Sequence, residues 1–130
     1  MRTLCSLFKA LSDETRLQML GLLLKEGELC VCDFVEVLEI TQSKASRHLR
    51  HLVNAGLLDD RREALWVYFR LADKPEPDQA TQLKVLPTLL RERVPPELFE
   101  RLDRWRAQKV TSVGACKPPA RKTTTRARAR

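Results

Sequence analysis

The chain predicts a mainly α-helical domain carrying one small β-hairpin, and three observations carry that prediction. Apolar residues recur at helical spacing from the N-terminus as far as Val53. Between residues 65 and 71 the period falls to two, with Leu65, Val67, Phe69 and Leu71 alternating with Trp66, Tyr68 and Arg70. Helical spacing returns beyond Pro75 and Pro77. At 130 residues, 43% hydrophobic and 32% charged, the chain has enough material for one domain with a core, not for a multidomain enzyme. Its longest apolar run, residues 19–24, falls far short of the ~20 residues a bilayer span needs. The apolar start is broken by Lys9 and meets Asp13 and Glu14, unlike a secretory signal, so the expected location is cytoplasmic.

A first helix is expected over residues 3–11. Ser12, followed by Asp13, Glu14 and Thr15, reads as the N-cap of a second helix over 13–25, with Gly27 just beyond its end. The buried stripe there would be Leu17, Leu20 and Leu24, flanked by Met19 and Leu23. Val31, Phe34, Val35 and Leu38 recur at i, i+3, i+4, i+7, a short third helix whose start is assigned to the run ELCVCD. Thr41 can cap a fourth helix ending near Ala55, with Gly56 as the stop.

On the fourth helix, Ala45, Leu49, Leu52 and Val53 fall within about a quarter turn and are expected to be buried, with His48 as a structural neighbour. Ser43, Lys44, Ser46, Arg47, Arg50, His51 and Asn54 fill the other side, which has three fixed positive charges and no acid. Solvated helical faces commonly mix signs to form i,i+4 pairs; a face of one sign favours an anionic partner. A strand over 57–61, a turn around Arg62, Glu63 and Ala64, and a strand to Leu71 complete a hairpin. A helix over 78–94 follows, with Leu83, Leu86 and Leu90 on one side and Pro87 as an interruption. Pro95 and Pro96 start a last helix with a stripe of Leu98, Phe99, Leu102 and Trp105. Residues 1–111 are therefore expected to form the domain, and 112–130 a disordered basic tail.

Net charge, +7, is misleading as a whole. Six of the 24 basic residues lie in 112–130 without a single acid, leaving 18 against 17 acids in the rest. Any argument for nucleic acid must therefore rest on where the domain's charges sit. Two short helices, the second basic on its exposed face and followed at once by a hairpin, describe a winged helix-turn-helix. In that geometry Gln42, Ser43, Lys44, Ser46, Arg47 and Arg50 face the DNA major groove, and wing residues Arg61 and Arg62 approach the backbone or minor groove. Such units act on palindromic half-sites in pairs, and the helices over 3–11 and 78–94 are the expected homodimer interface.

The four cysteines, Cys5, Cys30, Cys32 and Cys116, are expected to be reduced. Residues two apart on a regular helix point about 200° apart, so one ion held by Cys30 and Cys32 would require the first turn to unwind. That would couple binding to the position of the next helix. An odd, low number of soft sulfurs suits a trivalent metalloid better than tetrahedral zinc. Alternatives stay open at this level: small apolar residues packing a helix start, a thiolate site for cadmium or lead, or a redox pair, which the spacing makes awkward. An enzyme is not expected, because C-x-C is not the C-x-x-C redox motif and no His, Ser or acid constellation accompanies the thiols.

The run LFKALSDETRLQML, then GELCVCDFVEVLEITQSKASRHLRHLVNAGLL, then DRREALWVYFRL resembles the ArsR/SmtB family of metal-responsive repressors over about residues 6–71. ELCVCD is the specific part; SRHLRHL and the wing are general to the family. The resemblance implies a homodimeric repressor of an arsenic resistance operon, without a prosthetic group. It would leave its operator when As(III) or Sb(III) binds Cys30 and Cys32. Relatives often carry a third cysteine where this chain has Val35, so the candidate third sulfurs are Cys116 and Cys5. The histidines of zinc-sensing relatives on the helix after the wing are missing; His48 and His51 both lie on the fourth helix. A glycine common at the wing tip is also replaced, in the run Glu63-Ala64-Leu65.

Overall fold

A computed structural model of the chain describes residues 1–111; the segment expected to be a disordered tail, with Cys116, lies outside them. In order, the elements are α1 (Arg2–Leu11), α2 (Glu14–Glu26), β1 (Glu28–Cys30), α3 (Val31–Leu38), α4 (Gln42–Asn54), β2 (Leu58–Glu63), β3 (Trp66–Leu71), α5 (Pro77–Leu90) and α6 (Pro96–Thr111).

Helix α2 lies at the centre, against α1, α4, α5, β1 and β3. Its burial is consequently not the narrow stripe expected: Met19, Leu20, Gly21, Leu22 and Leu23 are all buried, while Leu17 and Leu24 are only partly so. A helix covered on several sides loses the amphipathic signature of a surface helix. Its N-cap is Asp13, whose carboxylate accepts from the Arg16 amide at 3.0 Å, and not Ser12, which instead closes α1 by donating its hydroxyl to the Lys9 carbonyl. Gly27 ends α2 at φ 89°, the left-handed region a Cβ disfavours.

The sheet has three antiparallel strands in the order β1-β3-β2. The hairpin β2-β3 is the expected wing; β1 is the addition. Glu28, Leu29 and Cys30 were assigned to the start of a helix, but they pair with Arg70, Phe69 and Tyr68. Three residues are too few for a period to register, and what makes them a strand is the open edge of β3 beside them. Glu63 pairs with Trp66, so the turn is Ala64-Leu65, and Ala64 takes φ 57° where a glycine would be relaxed.

Helix α5 runs unbroken through the exposed Pro87 and stops at Leu90, four residues short of the expected end. Val94 lies beyond it and packs into the core. Helix α6 lies along α3, which puts the end of the last helix beside the start of α3.

Candidate nucleic-acid interface and effector site

Thr41 caps α4 by accepting from the Lys44 amide at 3.1 Å, and Ala45, Leu49 and Leu52 anchor the helix in the core, Val53 more loosely. That fixes its rotation, leaving Gln42, Ser43, Lys44, Ser46, Arg47 and Arg50 exposed along the other side. Arg47 donates to the Ser43 hydroxyl at 3.1 Å. Arg50 pairs with Asp60 of β2 at 3.2 Å, an acid that only the fold brings to this face. His48 is half-buried: its Nδ1 faces an Arg16 guanidinium nitrogen at 3.0 Å, which ties α4 to α2. Burial is the main cause holding the His48 pKa below its ordinary value, and the Asp13 carboxylate opposes it.

The two wing arginines part company. Arg62 is exposed. Arg61 grips both Glu28 carboxylate oxygens at 2.8 and 2.9 Å, donates to Glu63 at 2.8 Å, and lies over the Tyr68 ring at 4.5 Å. It clamps the outer strands across β3 and is directed at the protein's own acids.

The cysteines do not lie as a regular helix would put them. Cys30 ends β1 and serves as the N-cap of α3 in an extended conformation (φ −99°, ψ 170°), and only Cys32 is in the first turn. The expected 200° divergence, and the unwinding it demanded, therefore do not apply. Cys30 and Asp33 form a capping box: the Cys30 side chain accepts from the Asp33 amide, and Asp33 Oδ2 accepts from the Cys30 amide at 2.8 Å. Cys30 is buried against Tyr68, with Cys32, Trp66 and Trp105 packed around them. Cys30 carries a thiol, as does the exposed Cys5 on α1.

Sequence reasoning missed what surrounds Cys30. Asp33 is wholly buried and Lys109 of α6 is 1% exposed, and the two form an ion pair. Trp105 Nε1 also donates to Asp33 Oδ1, at 2.8 Å, and the Lys109 ammonium lies 3.6 Å from Cys30 Sγ. Signals existed for both charges. Lys109 continues the spacing of Leu98, Leu102 and Trp105 along the buried side of α6, and Asp33 stands at the capping-box distance from Cys30. Burial pushes the Cys30 thiol up from its ordinary pKa, and the Asp33 carboxylate adds to this while Lys109 opposes it. Burial, with Cys30 as the next cause, likewise pushes the Tyr68 phenol up to about 12. Among the described residues, no group of three or more His, Cys, Asp or Glu side chains is arranged to hold a metal ion, and no helix is long and apolar enough to cross a membrane.

A basic helix anchored by its apolar side, preceded by a short capped helix and followed by a hairpin, defines a winged helix-turn-helix of the DNA-binding class. The model for the bacterial regulatory protein arsR family matches residues 13–60, and the chain belongs to that family, one of transcriptional regulators. Over 64 residues it is 55% identical to the arsenic resistance transcriptional regulator ArsR1 of Pseudomonas putida, covering 49% of this chain and 50% of that protein. Over 66 residues it is 53% identical to the arsenical resistance operon repressor of Escherichia coli, covering 51% and 56%. The chain thus spans about half the length of these curated relatives. Among solved structures, HlyU from Vibrio cholerae superposes with a TM-score of 0.58 at 33% identity, over 70% of this chain and 95% of that one. The homodimeric winged helix-turn-helix domain Mb0332 of Mycobacterium bovis, described as a possible ArsR-family regulator, does so at 0.58 and 28% identity, over 73% and 84%.

Proposed function

We propose that the chain is a metalloid-responsive transcriptional repressor, a homodimer that holds operator DNA through Gln42, Ser43, Lys44, Ser46, Arg47 and Arg50 of α4 and Arg62 of the wing. It leaves the DNA when As(III) or Sb(III) bonds to Cys30 and Cys32. The observation that carries this reading is the position of the cysteine pair: Cys30 caps α3 and Cys32 opens it, one short helix ahead of α4. Sulfur drawn onto a metalloid no longer accepts from the Asp33 amide, so effector binding costs α3 its cap and shifts the helix against which α4 is packed. A coupling of about 1–3 kcal/mol, or 5- to 150-fold in affinity, is the ordinary allosteric range and is sufficient. The names of the arsenic-resistance relatives support the effector, and the soft donor set fits it. The homodimeric neighbour, together with exposed Phe8 on α1 and Val85 and Leu89 on α5, supports pairing through those helices.

The response belongs to the reduced protein, because free thiols are what a metalloid bonds. Should a third sulfur join, it is Cys116 or Cys5; replacing each with serine decides between them and a two-sulfur adduct. The test is operator binding by fluorescence anisotropy after phosphine reduction, titrating arsenite, cadmium and zinc against wild type and a Cys30→Ser, Cys32→Ser double variant. Release of wild type by arsenite, with the variant still bound, is the expected result. Equal release of both, or of neither, refutes the reading.

A further inference from the structure

Apolar packing fixes which side of α4 is buried but, being non-directional, leaves a helix free to slide and tilt by small amounts. Two hydrogen-bonded ties remove that freedom. At the C-terminal end of α4, Gln79 Nε2 donates to the Ala55 carbonyl at 2.9 Å, one of the helix-end carbonyls without a partner inside the helix. Gln79 stands in the first turn of α5, where a glutamine commonly bonds back to its own N-cap; here it reaches across to α4 instead. It is 6% exposed, and among the described residues its Oε1 has no donor. Turning the amide over would set oxygen against the Ala55 carbonyl, so the unpartnered acceptor is a standing cost of the tie. Gly56 leaves room for it, since an added Cβ would stand 3.0 Å from Gln79 Nε2. In the middle of α4, Arg16 Nη1 donates to His48 Nδ1 at 3.0 Å. The same guanidinium donates from Nε to the Ala10 carbonyl at 2.8 Å and from Nη2 to the Lys9 carbonyl at 3.2 Å, in the last turn of α1.

We infer that Gln79 and Arg16 are positioning residues that set the half-site spacing this repressor accepts, an inference that rests on the proposed function. Helices α1 and α5 are the proposed pairing surfaces, and each is tied by one of these side chains to α4, the helix proposed to enter the major groove. The tied points, His48 and Ala55, lie about 10 Å apart along the helix axis, so together they fix its direction as well as its place. A dimer then presents its two recognition helices at one separation and one relative rotation. One base pair more or less between half-sites moves a half-site by ~3.4 Å and turns it by roughly 35°, which a rigidly tied pair of helices cannot follow. With a tie cut, α4 can re-aim on its apolar seat and follow part of that change.

The probes are palindromic duplexes that wild type selects from a random pool, each also remade with one central base pair inserted or removed. Affinity is read by fluorescence anisotropy with the full, reduced chain. Wild type should bind the altered duplexes at least about tenfold more weakly than the selected ones. Gln79→Met keeps the volume, deletes the unpartnered acceptor and should lose less than about threefold. His48→Leu, which frees α4 from Arg16, should behave likewise and keeps the test decisive should Gln79→Met not fold. Gly21→Ala, which strains α2 against Val94 away from both ties, should keep the wild-type ratio. A purely structural role for the ties would weaken binding to all the duplexes together and leave the ratio where it was. An unchanged ratio in either folded variant, the same loss of discrimination in Gly21→Ala, or a wild type indifferent to spacing overturns the inference. Selection of single half-sites by wild type would overturn the pairing and the inference with it. Failure of arsenite to release wild type while the ratios shift as expected would instead overturn the effector reading and leave the two ties standing.

Discussion

Arg61 and Arg62 are neighbours in sequence with opposite surroundings in the structure, Arg61 engaged within the sheet and Arg62 exposed, which makes them a sharp test of the proposed DNA contact. Arg61→Ala removes a two-pronged pair with Glu28, a second pair with Glu63 and a contact over the Tyr68 ring. The Arg61 side chain is 29% exposed and that of Glu28 26%, so their pair is only partly screened; Glu63, at 38%, adds little. Charge-assisted hydrogen bonds and a cation–π contact of this kind together contribute about 2–3 kcal/mol. In a domain of this size that lowers Tm by roughly 10–15 °C. Arg62→Ala touches nothing comparable and should leave Tm within about 2 °C. On DNA the order reverses. Losing one phosphate contact reduces the slope of log affinity against log salt by about 0.9, so Arg62→Ala should lose about 3.5-fold less affinity than wild type between 50 and 200 mM salt. Arg61→Ala, at a temperature where it is folded, should keep the wild-type slope. Thermal melts by circular dichroism and anisotropy across that salt range measure both. A flattened slope with an unchanged Tm for Arg61→Ala would refute the assignment of Arg61 to the sheet.

Three other outcomes follow from the geometry. Cys30→Ser should stay within about 1 kcal/mol of wild type in urea unfolding, since serine is a good N-cap, yet lose its arsenite response in the anisotropy assay. His48 has its pKa held below 6.5, chiefly by burial, so the folded state favours the neutral ring; the stability it contributes is complete above pH ~6.5 and is lost as pH falls through the folded value. Melts from about pH 8 to pH 5 should therefore show a fall that His48→Gln removes, and an identical fall in the variant would assign it elsewhere. Gly21 lies where an added Cβ would stand 2.6 Å from Val94 Cγ2, so Gly21→Ala should destabilise by about 1–2 kcal/mol in urea, with Val94→Ala restoring part of it.

Local patterns made much of this molecule legible. Helix α4 could be outlined from Thr41 to Ala55 because its cap, its apolar side and its stop are all written within one short stretch. The wing was visible because alternation over Leu65 to Leu71 is long enough to register, and the paired cysteines because ELCVCD is distinctive on its own. Strand β1 was not visible, because its reason for being extended is the edge of β3, some 40 residues away. Nor was the contrast between Arg61 and Arg62, which depends on Glu28 facing β2 across the sheet.

The sequence by itself determined the helices in outline, the wing hairpin and the exposed face of α4, since capping and periodicity act within a few residues along the chain. Only the tertiary structure decided the chemistry around the cysteine pair. The packing of α6 along α3 brings Lys109 and Trp105 to Asp33 and Cys30 across more than 70 residues of sequence. Whether a lysine is a solvated charge or a buried counter-ion depends on what the rest of the chain folds over it, and local pattern does not contain that information.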